Sequence, residues 1–456
     1  MKKIFLYLLS MSIVFVLTLS ACEPIQPVVS AGDNKSIDLE NQATAIHDLD
    51  PSPVTTTAPT SIPEPTSQES TPEVENPITE GMEEIPEVIN PLTGLPVEDP
   101  DYLDLPPALV SISNFPASGR PQAGLNFSPI TFEMAIGEGM TRFLTMFYGQ
   151  FPEAVSGQTE GETPVTGSDN EIEQGSEEEN QVANSATSDA LATSIGPVRS
   201  GRLSYEDIRA TYSGFLVMAS AWEGVSTNLK DATSVYGSSE DDINSATVSS
   251  DRLIDIARSE SEGYPGSNFN LEGMTFSQTP PEGGQAADQS WIFYSNLNQV
   301  QWRYDQALDA YVRYDIKTDG SDKFVMATDR LTGQPVSKEN MIVIFAEHDY
   351  QAPTLIDIHL MNQPPTKALL FRDGQVYKIF WTTRFGDYEK ETGLLRPMRF
   401  VDENGDPIAL KPGQTWISIV SMQSYYVESA LSEHPFHPVI EDNGTGLWLI
   451  RYKGKY

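Results

Sequence analysis

The chain has 456 residues, with 28 Lys and Arg against 65 Asp and Glu, a formal charge of −37 with the five His neutral. That balance excludes a broad nucleic-acid surface, because backbone binding rests on clustered Lys and Arg, and the single Cys excludes an intrachain disulfide, a Cys-rich zinc site or an iron–sulfur cluster. Hydrophobic residues make up 39% of the chain, enough for a core if they are concentrated in part of it.

The sharpest signal comes first. Lys2 and Lys3 precede a mostly apolar run from Ile4 to Leu19, followed by Leu19-Ser20-Ala21-Cys22. As a helix that run reaches only about 24 Å, short of the hydrocarbon core, so it reads as a secretion signal over 1–22 and not as a membrane span. Leu-Ser-Ala-Cys resembles the bacterial lipobox. The resemblance implies cleavage before Cys22, diacylglycerol on its thiol and acylation of the new amino terminus. Two or three acyl chains anchor stably where one does not. Cys22 is then the lipid-attachment residue, and the expected location is extracytoplasmic, on the outer face of a bacterial cytoplasmic membrane.

Residues 23–89 are rich in Pro, Ser, Thr and Glu. Low hydrophobicity with excess acid cannot offset the entropy of ordering, so this stretch reads as a disordered tether. A second such segment, 153–194, holds ten acidic residues and no basic one. It reads as an insertion in a surface loop, tolerable because loop-closure entropy grows only logarithmically with length. Neither segment carries an Asp-x-Asp-x-Asp-Gly loop closed by Glu, so solvation and reach are the expected roles.

The remaining residues suffice for two domains, an α/β N-terminal domain over 90–284 and a β-rich (α+β) C-terminal domain over 285–456. In the first, Leu109–Ser113, Ile130–Ile136 and Arg142–Tyr148 read as strands, Pro197–Tyr212 as a helix stopped by Gly214, and Phe215–Ala219 as the next strand. In the second, strands are expected at Trp291–Tyr294, Tyr311–Tyr314, Met341–Phe345, Ile356–His359, Val376–Trp381 and Thr415–Val420.

Catalytic templates are missing: there is no phosphate-binding Gly-x-x-x-x-Gly-Lys-Ser/Thr loop, no Gly-x-Gly-x-x-Gly, no Gly-x-Ser-x-Gly and no His-Glu-x-x-His. No cofactor is expected, and no metal. His434 and His437 flank Pro435 but lack a patterned third ligand, and His359 reads as the solvent side of a strand. The arginines carry more information. Arg199 and Arg202 stand at the start of the predicted helix, where the macrodipole is already positive, so an anion nearby would offset them. The competing reading pairs Arg202 with Glu206, and Arg199 with Glu133 or Glu138. Either glutamate could also serve as a general acid or base, although nothing in the spacing sets their separation.

Several segments together resemble the YerB-type bacterial lipoproteins. Asn90-Pro-Leu-Thr-Gly94, Arg120-Pro-Gln-Ala-Gly124, Glu138-Gly-Met-Thr-Arg-Phe143 and Gly196-Pro-Val-Arg-Ser-Gly-Arg202 resemble the first domain. Tyr304-Asp305, Tyr311-x-Arg313, Asp373-Gly374, Trp381 and Leu410-Lys-Pro-Gly-Gln-Thr-Trp416 resemble the second. The resemblance implies a surface-exposed, two-domain lipoprotein without an established activity. Two segments depart from that pattern: Trp222-Glu-Gly-Val-Ser226 stands for His-x-Gly-Gly-Ser, and Pro265-Gly-Ser-Asn268 for Pro-His-Asn.

Arg120, Arg142, Arg199 and Arg202 are all present, which favours binding over acid–base catalysis. The leading expectation is a non-enzymatic binding module at the cell envelope, tied to the membrane through lipidated Cys22. It would take an anionic envelope or cell-wall ligand on those arginines with Glu133 and Glu138 beside them, and no nucleic acid. The alternatives are an envelope enzyme acting on phosphoryl or carboxyl groups, and a protein-interaction scaffold with structural arginines whose partner meets exposed aromatics such as Tyr425 and Tyr426.

Overall fold

The computed structural model describes residues 87–152, 194–239, 242–263, 269–321, 323–430 and 441–455. The signal and Cys22, nearly all of the tether, the acidic segment up to 193, His47, His434, His437 and all of Pro265–Asn268 lie outside these residues.

The described chain is mostly β-sheet with few helices. Its principal strands are β1 (Ala108–Ser113), β2 (Ile130–Gly137), β3 (Met140–Phe147), β4 (Phe215–Met218), β5 (Ala232–Ser234), β6 (Gln289–Ser295), β7 (Asn298–Asp305), β8 (Ala310–Ile316), β9 (Asn340–Ala352), β10 (Thr366–Arg372), β11 (Gln375–Thr382), β12 (Arg399–Val401), β13 (Thr415–Ser421), β14 (Tyr425–Glu428) and β15 (Leu447–Arg451). The helices used below are α1 (Tyr205–Thr211), α2 (Glu223–Ser226) and α3 (Ser250–Gly263).

The strands expected from apolar runs all form, because β-branched and aromatic residues fit a pleated surface buried on both faces. Most of them assemble into a large mixed sheet whose main path runs β12-β11-β10-β9-β13-β2-β3-β1-β4-β5, while those at Trp291–Tyr294 and Tyr311–Tyr314 belong to another. β13 lies between the two halves of the sequence, parallel to β9 with Ile342 against Ile417 and parallel to β2 with Phe132 against Ile417. Strands from both sides of position 285 therefore share one hydrogen-bonded sheet. A second sheet contains β8-β7-β6-β15-β14.

Strand alternation sends side chains to opposite faces of the large sheet. Val110, Phe143, Trp416 and Phe371 face the second sheet and meet its Trp302 and Tyr311, with the Trp302 and Trp416 rings 5.2 Å apart. Leu109, Phe132, Leu144 and Ile417 line the other face, which Tyr205, Ile208 and Tyr212 cover.

The helix expected over Pro197–Tyr212 is helical only from Tyr205 to Thr211. Residues 198–201 are not helical because their amides serve partners outside the segment: Val198 N–H donates to the Ala246 carbonyl, Arg199 N–H to that of Ser111 in β1 and Gly201 N–H to that of Ser220. Backbone donors satisfied this way have no reason to close helical turns. Tyr425 and Tyr426, expected as exposed, are half-buried; Tyr426 packs between Phe345 and Trp448, and the Lys453 ammonium sits 5.3 Å from the Tyr425 ring.

Candidate functional site

The sheet sorts the predicted site residues into two clusters on its opposite faces. Glu133 and Arg142 belong to adjacent strands one register position apart, where Glu133 stands opposite Phe143 and Met134 opposite Arg142. The pleat turns their side chains apart.

On the face toward the second sheet, Glu133 is fully buried. Its Oε2 accepts from Arg313 Nη1 at 2.8 Å and from Trp416 Nε1 at 3.2 Å, and its Oε1 accepts from Thr141 Oγ1 at 2.8 Å. Arg313 and Asp315 alternate along β8 and so face Glu133 together; Arg313 Nε donates to Asp315 Oδ1 at 3.0 Å. Arg120 closes the circuit, with Nη1 3.9 Å from Asp315 and Nη2 donating at 2.8 Å to Asn114, which in turn donates to Thr141. Two guanidinium groups and two carboxylates thus neutralise one another. Burial pulls the Arg313 pKa down, but the Asp315 and Glu133 carboxylates more than reverse this and hold it above its ordinary value. Asp315 is pushed up by burial and brought below the usual carboxylate range by Arg120 and Arg313.

This circuit corrects three readings. Arg120 is a structural partner of Asp315 and not part of an anion site. Glu133 is enclosed by donors and cannot meet a substrate as acid or base, nor does it pair with Arg199. Arg313 and Asp315 were missed as a pair, although two opposite charges two apart in an apolar strand would point to a buried pair on one face.

The other face carries a different arrangement. Arg142 is 5% exposed. Its Nη1 donates to the Ser200 carbonyl at 3.0 Å and its buried Nε has no partner. Ser111 lies beside it, donating to the same carbonyl at 3.3 Å and bonded to the Tyr205 hydroxyl at 2.9 Å. Burial pulls the Arg142 pKa down to about 10; Tyr205 opposes this, while the charges of Arg202 and Arg199 add to it. Three guanidinium groups are therefore close enough to feel one another. Arg199 donates to the Ile243 carbonyl and, at 2.7 Å, to Asn244 Oδ1. Burial lowers its pKa, with Asp242 acting in the opposite direction. Arg202 donates to the Gly201 carbonyl at 3.1 Å, and its Nε is buried without a partner.

Among the described residues, no carboxylate lies within ion-pair distance of Arg142, Arg199 or Arg202. The expected Arg202–Glu206 pair does not form, since Glu206 is held by Arg209 at 2.7 Å. Glu138 is exposed in the β2–β3 turn with φ 53° and pairs with none of these arginines. Gly201 fixes where the arginine segment passes the ends of the strands: a Cβ there would meet Met218 Sδ at 2.5 Å and Leu229 at 2.7 Å. Ser111, Ala219 and Ser220, which hold this segment, lie at the carboxyl ends of β1 and β4, two parallel neighbours.

A separate cavity of about 520 Å³ is bounded by Asn90, Tyr102, Phe127, Tyr148 and Gln414. Glu98 and Asp99 are the charged residues in its wall, which disfavours an anion there.

The described histidines offer no metal site: among the described residues no cluster of His, Cys, Asp or Glu is placed to hold an ion. His359 is half-buried on the more exposed side of its strand. His348 stacks on Tyr350, its Nδ1 is 3.0 Å from the Ala346 carbonyl, and its buried Nε2 has no partner. Burial pushes its pKa down to about 4. The unfolded chain then takes up a proton near pH 6.5 that the folded chain resists until about pH 4, so stability falls as pH drops through that window. Urea unfolding at pH 7 and pH 4.5 should show about 2 kcal/mol less acid loss in His348→Phe than in the parent. Equal losses in the two proteins would mean that His348 is not the group responsible.

No helix among the described residues is long and apolar enough to cross a membrane. Two domain profiles of DUF3048, a family described as of unknown function, match the chain: the N-terminal domain at residues 92–157 and the C-terminal domain at 291–417. YerB of Bacillus subtilis (strain 168), which bears a lipoprotein designation, is 25% identical over 332 residues, covering 69% of this chain and 81% of that protein. The crystal structure of Bacillus subtilis YerB aligns with a TM-score of 0.52 at 24% identity, over 73% of this chain and 97% of that one, which is a likeness of fold. Matches in both halves, in the same order, agree on one conclusion: the chain carries the N- and C-terminal domains of DUF3048 and is a homologue of YerB.

Proposed function

We propose that the chain is a lipid-anchored, extracytoplasmic binding module whose Arg142, Arg199 and Arg202 take an anionic group of an envelope ligand. One observation carries this reading. In a chain with 65 acidic residues, the buried arginines Arg313 and Arg372 each hold a carboxylate at 3.0 Å or less, while these three gather around buried Arg142 with none among the described residues. Uncompensated buried charge is costly, and a bound anion removes the cost. Guanidinium forks suit phosphate and carboxylate oxygens.

The place also suits a ligand. Crevices at the carboxyl ends of parallel strands are the usual binding positions in α/β sheets, and the parallel pair β1 and β4 offers such an end. The lipoprotein designation of YerB, together with the sequence up to Cys22, supports anchoring on the outer face of the cytoplasmic membrane. Enclosure of Glu133 leaves Glu138 alone as the base of the enzymatic alternative.

Thermal unfolding of the purified chain in rising inorganic phosphate tests the site. The expected result is a dose-dependent rise in Tm, equivalent to about 2.7 kcal/mol at one hundred times Kd, that is lost in a folded Arg199→Ala, Arg202→Ala variant. No rise in the parent, with a large loss of stability in the double variant, would make the arginines structural.

A further inference from the structure

Trp222 is the exposed tryptophan of the six, at 67%, while Trp291, Trp302, Trp381, Trp416 and Trp448 are each 4% exposed or less. It stands immediately before α2, and its six-membered ring lies over Gly224, where a Cβ would approach the ring to 2.2 Å. Only glycine at 224 leaves room for this. The ring is thereby held flat against its own helix with a broad surface open to solvent.

This platform borders the arginines. Gly201, whose neighbour is Arg202, donates its N–H to Ser220 and would touch the Ala221 side chain at 3.5 Å with a Cβ of its own. Trp222 is the next residue. On the other side, Tyr236 is 78% exposed and precedes Gly237, which packs against Ser245 and Ala246 in the segment that holds Arg199 through Ile243 and Asn244. Two open aromatic rings are thus borne by segments that pack against the stretch carrying Arg199 and Arg202, whose Ser200 carbonyl accepts from the recessed Arg142, 5% exposed.

Recessed cation and open rings ask for different chemistry in one ligand. A small anionic tip must reach past the rings, and a body with an apolar face must lie on an aromatic surface, the usual mix of a few fixed polar groups with aromatic walls. A flat bilayer satisfies neither, since its headgroup plane meets the rings and not the recess, and a chain of charge −37 is repelled by an anionic surface. We infer that the ligand is a phosphate borne on a sugar ring, the phosphate on the guanidinium groups and the ring stacked on Trp222. This rests on the anion-site reading and adds the chemical class of what is bound.

The test titrates the full chain with inorganic phosphate and with glucose 1-phosphate, followed by tryptophan emission, in which Trp222 supplies the solvent-exposed component. The sugar phosphate should bind at least about tenfold more tightly than phosphate, a difference of about 1.4 kcal/mol, and perturb that component. Trp222→Ala should erase the tenfold difference, and Leu297→Ala, which removes another exposed apolar side chain, 63% exposed, should keep it. Equal affinity for the two ligands in the parent would overturn the sugar assignment and leave the anion site standing. Binding of neither would overturn both. Trp222-dependent binding to anionic phospholipid vesicles, without preference for the sugar phosphate, would make the occupant a membrane surface and overturn the inference as well.

Discussion

Replacing Arg313 with alanine is expected to lower the unfolding free energy by about 3–5 kcal/mol, the largest effect of any single substitution discussed for this chain. The guanidinium is 1% exposed and holds Glu133 at 2.8 Å and Asp315 at 3.0 Å. Removing it strands two carboxylates between the sheets with only Thr141, Trp416 and the distant Arg120 to face. It also takes away the cation seated 4.6 Å from the Trp416 ring and 5.0 Å from Phe143. Urea unfolding at pH 7 measures this directly. The triple replacement Arg313→Met, Glu133→Gln, Asp315→Asn should recover much of the loss, because the damage lies in unpaired charge and not in missing volume. A loss below about 1 kcal/mol in Arg313→Ala would mean that water or a side-chain shift compensates the carboxylates and that the circuit does not hold the two sheets together.

Arg142→Met should act in the opposite direction although the parent side chain is almost as buried. No carboxylate among the described residues is paired with Arg142, and Arg199 and Arg202 repel it. Exchanging that charge for an apolar chain of similar length gives up the bond to the Ser200 carbonyl and removes both desolvation and like-charge repulsion. The unfolding free energy should stay level or rise by up to about 2 kcal/mol, while stabilisation by phosphate disappears. Sites kept for binding are commonly held at a cost in stability, and the two measurements together separate that case from a structural one. A drop of about 2 kcal/mol or more, or retained stabilisation by phosphate, would assign Arg142 to the scaffold.

The strands were legible because each is a short apolar run bounded by turn residues. Met341–Phe345 and Thr415–Val420 read as buried strands without knowledge of their neighbours, since burial on both faces demands continuous apolar side chains. Their order was not legible. β13 pairs with β2 across some 285 positions of sequence, Ile130 against Thr415, and parallel pairing leaves no local trace comparable to a hairpin turn. The helix over Pro197–Tyr212 was overestimated for a related reason. Its first half satisfies its amides on carbonyls outside the segment, at Ser111, Ser220 and Ala246, and intrinsic propensity does not report such partners.

The arginine site divides in the same way. Residue chemistry by itself marked Arg199 and Arg202 as cations without a local anion, and it supplied the apolar leader, the single Cys22 and the acidic balance, because these depend on composition and on spacing within a few residues. Tertiary structure decided which acid each arginine meets. Glu133 stood nine positions from Arg142 in sequence and belongs to the other face, where Arg313, 180 residues away, neutralises it. The pleat of a two-residue repeat turns neighbouring side chains to opposite faces of the sheet, and sheet order then brings a distant partner to one of them and none to the other. Charge pairing is set by through-space distance, and distance in this fold is set by strand order.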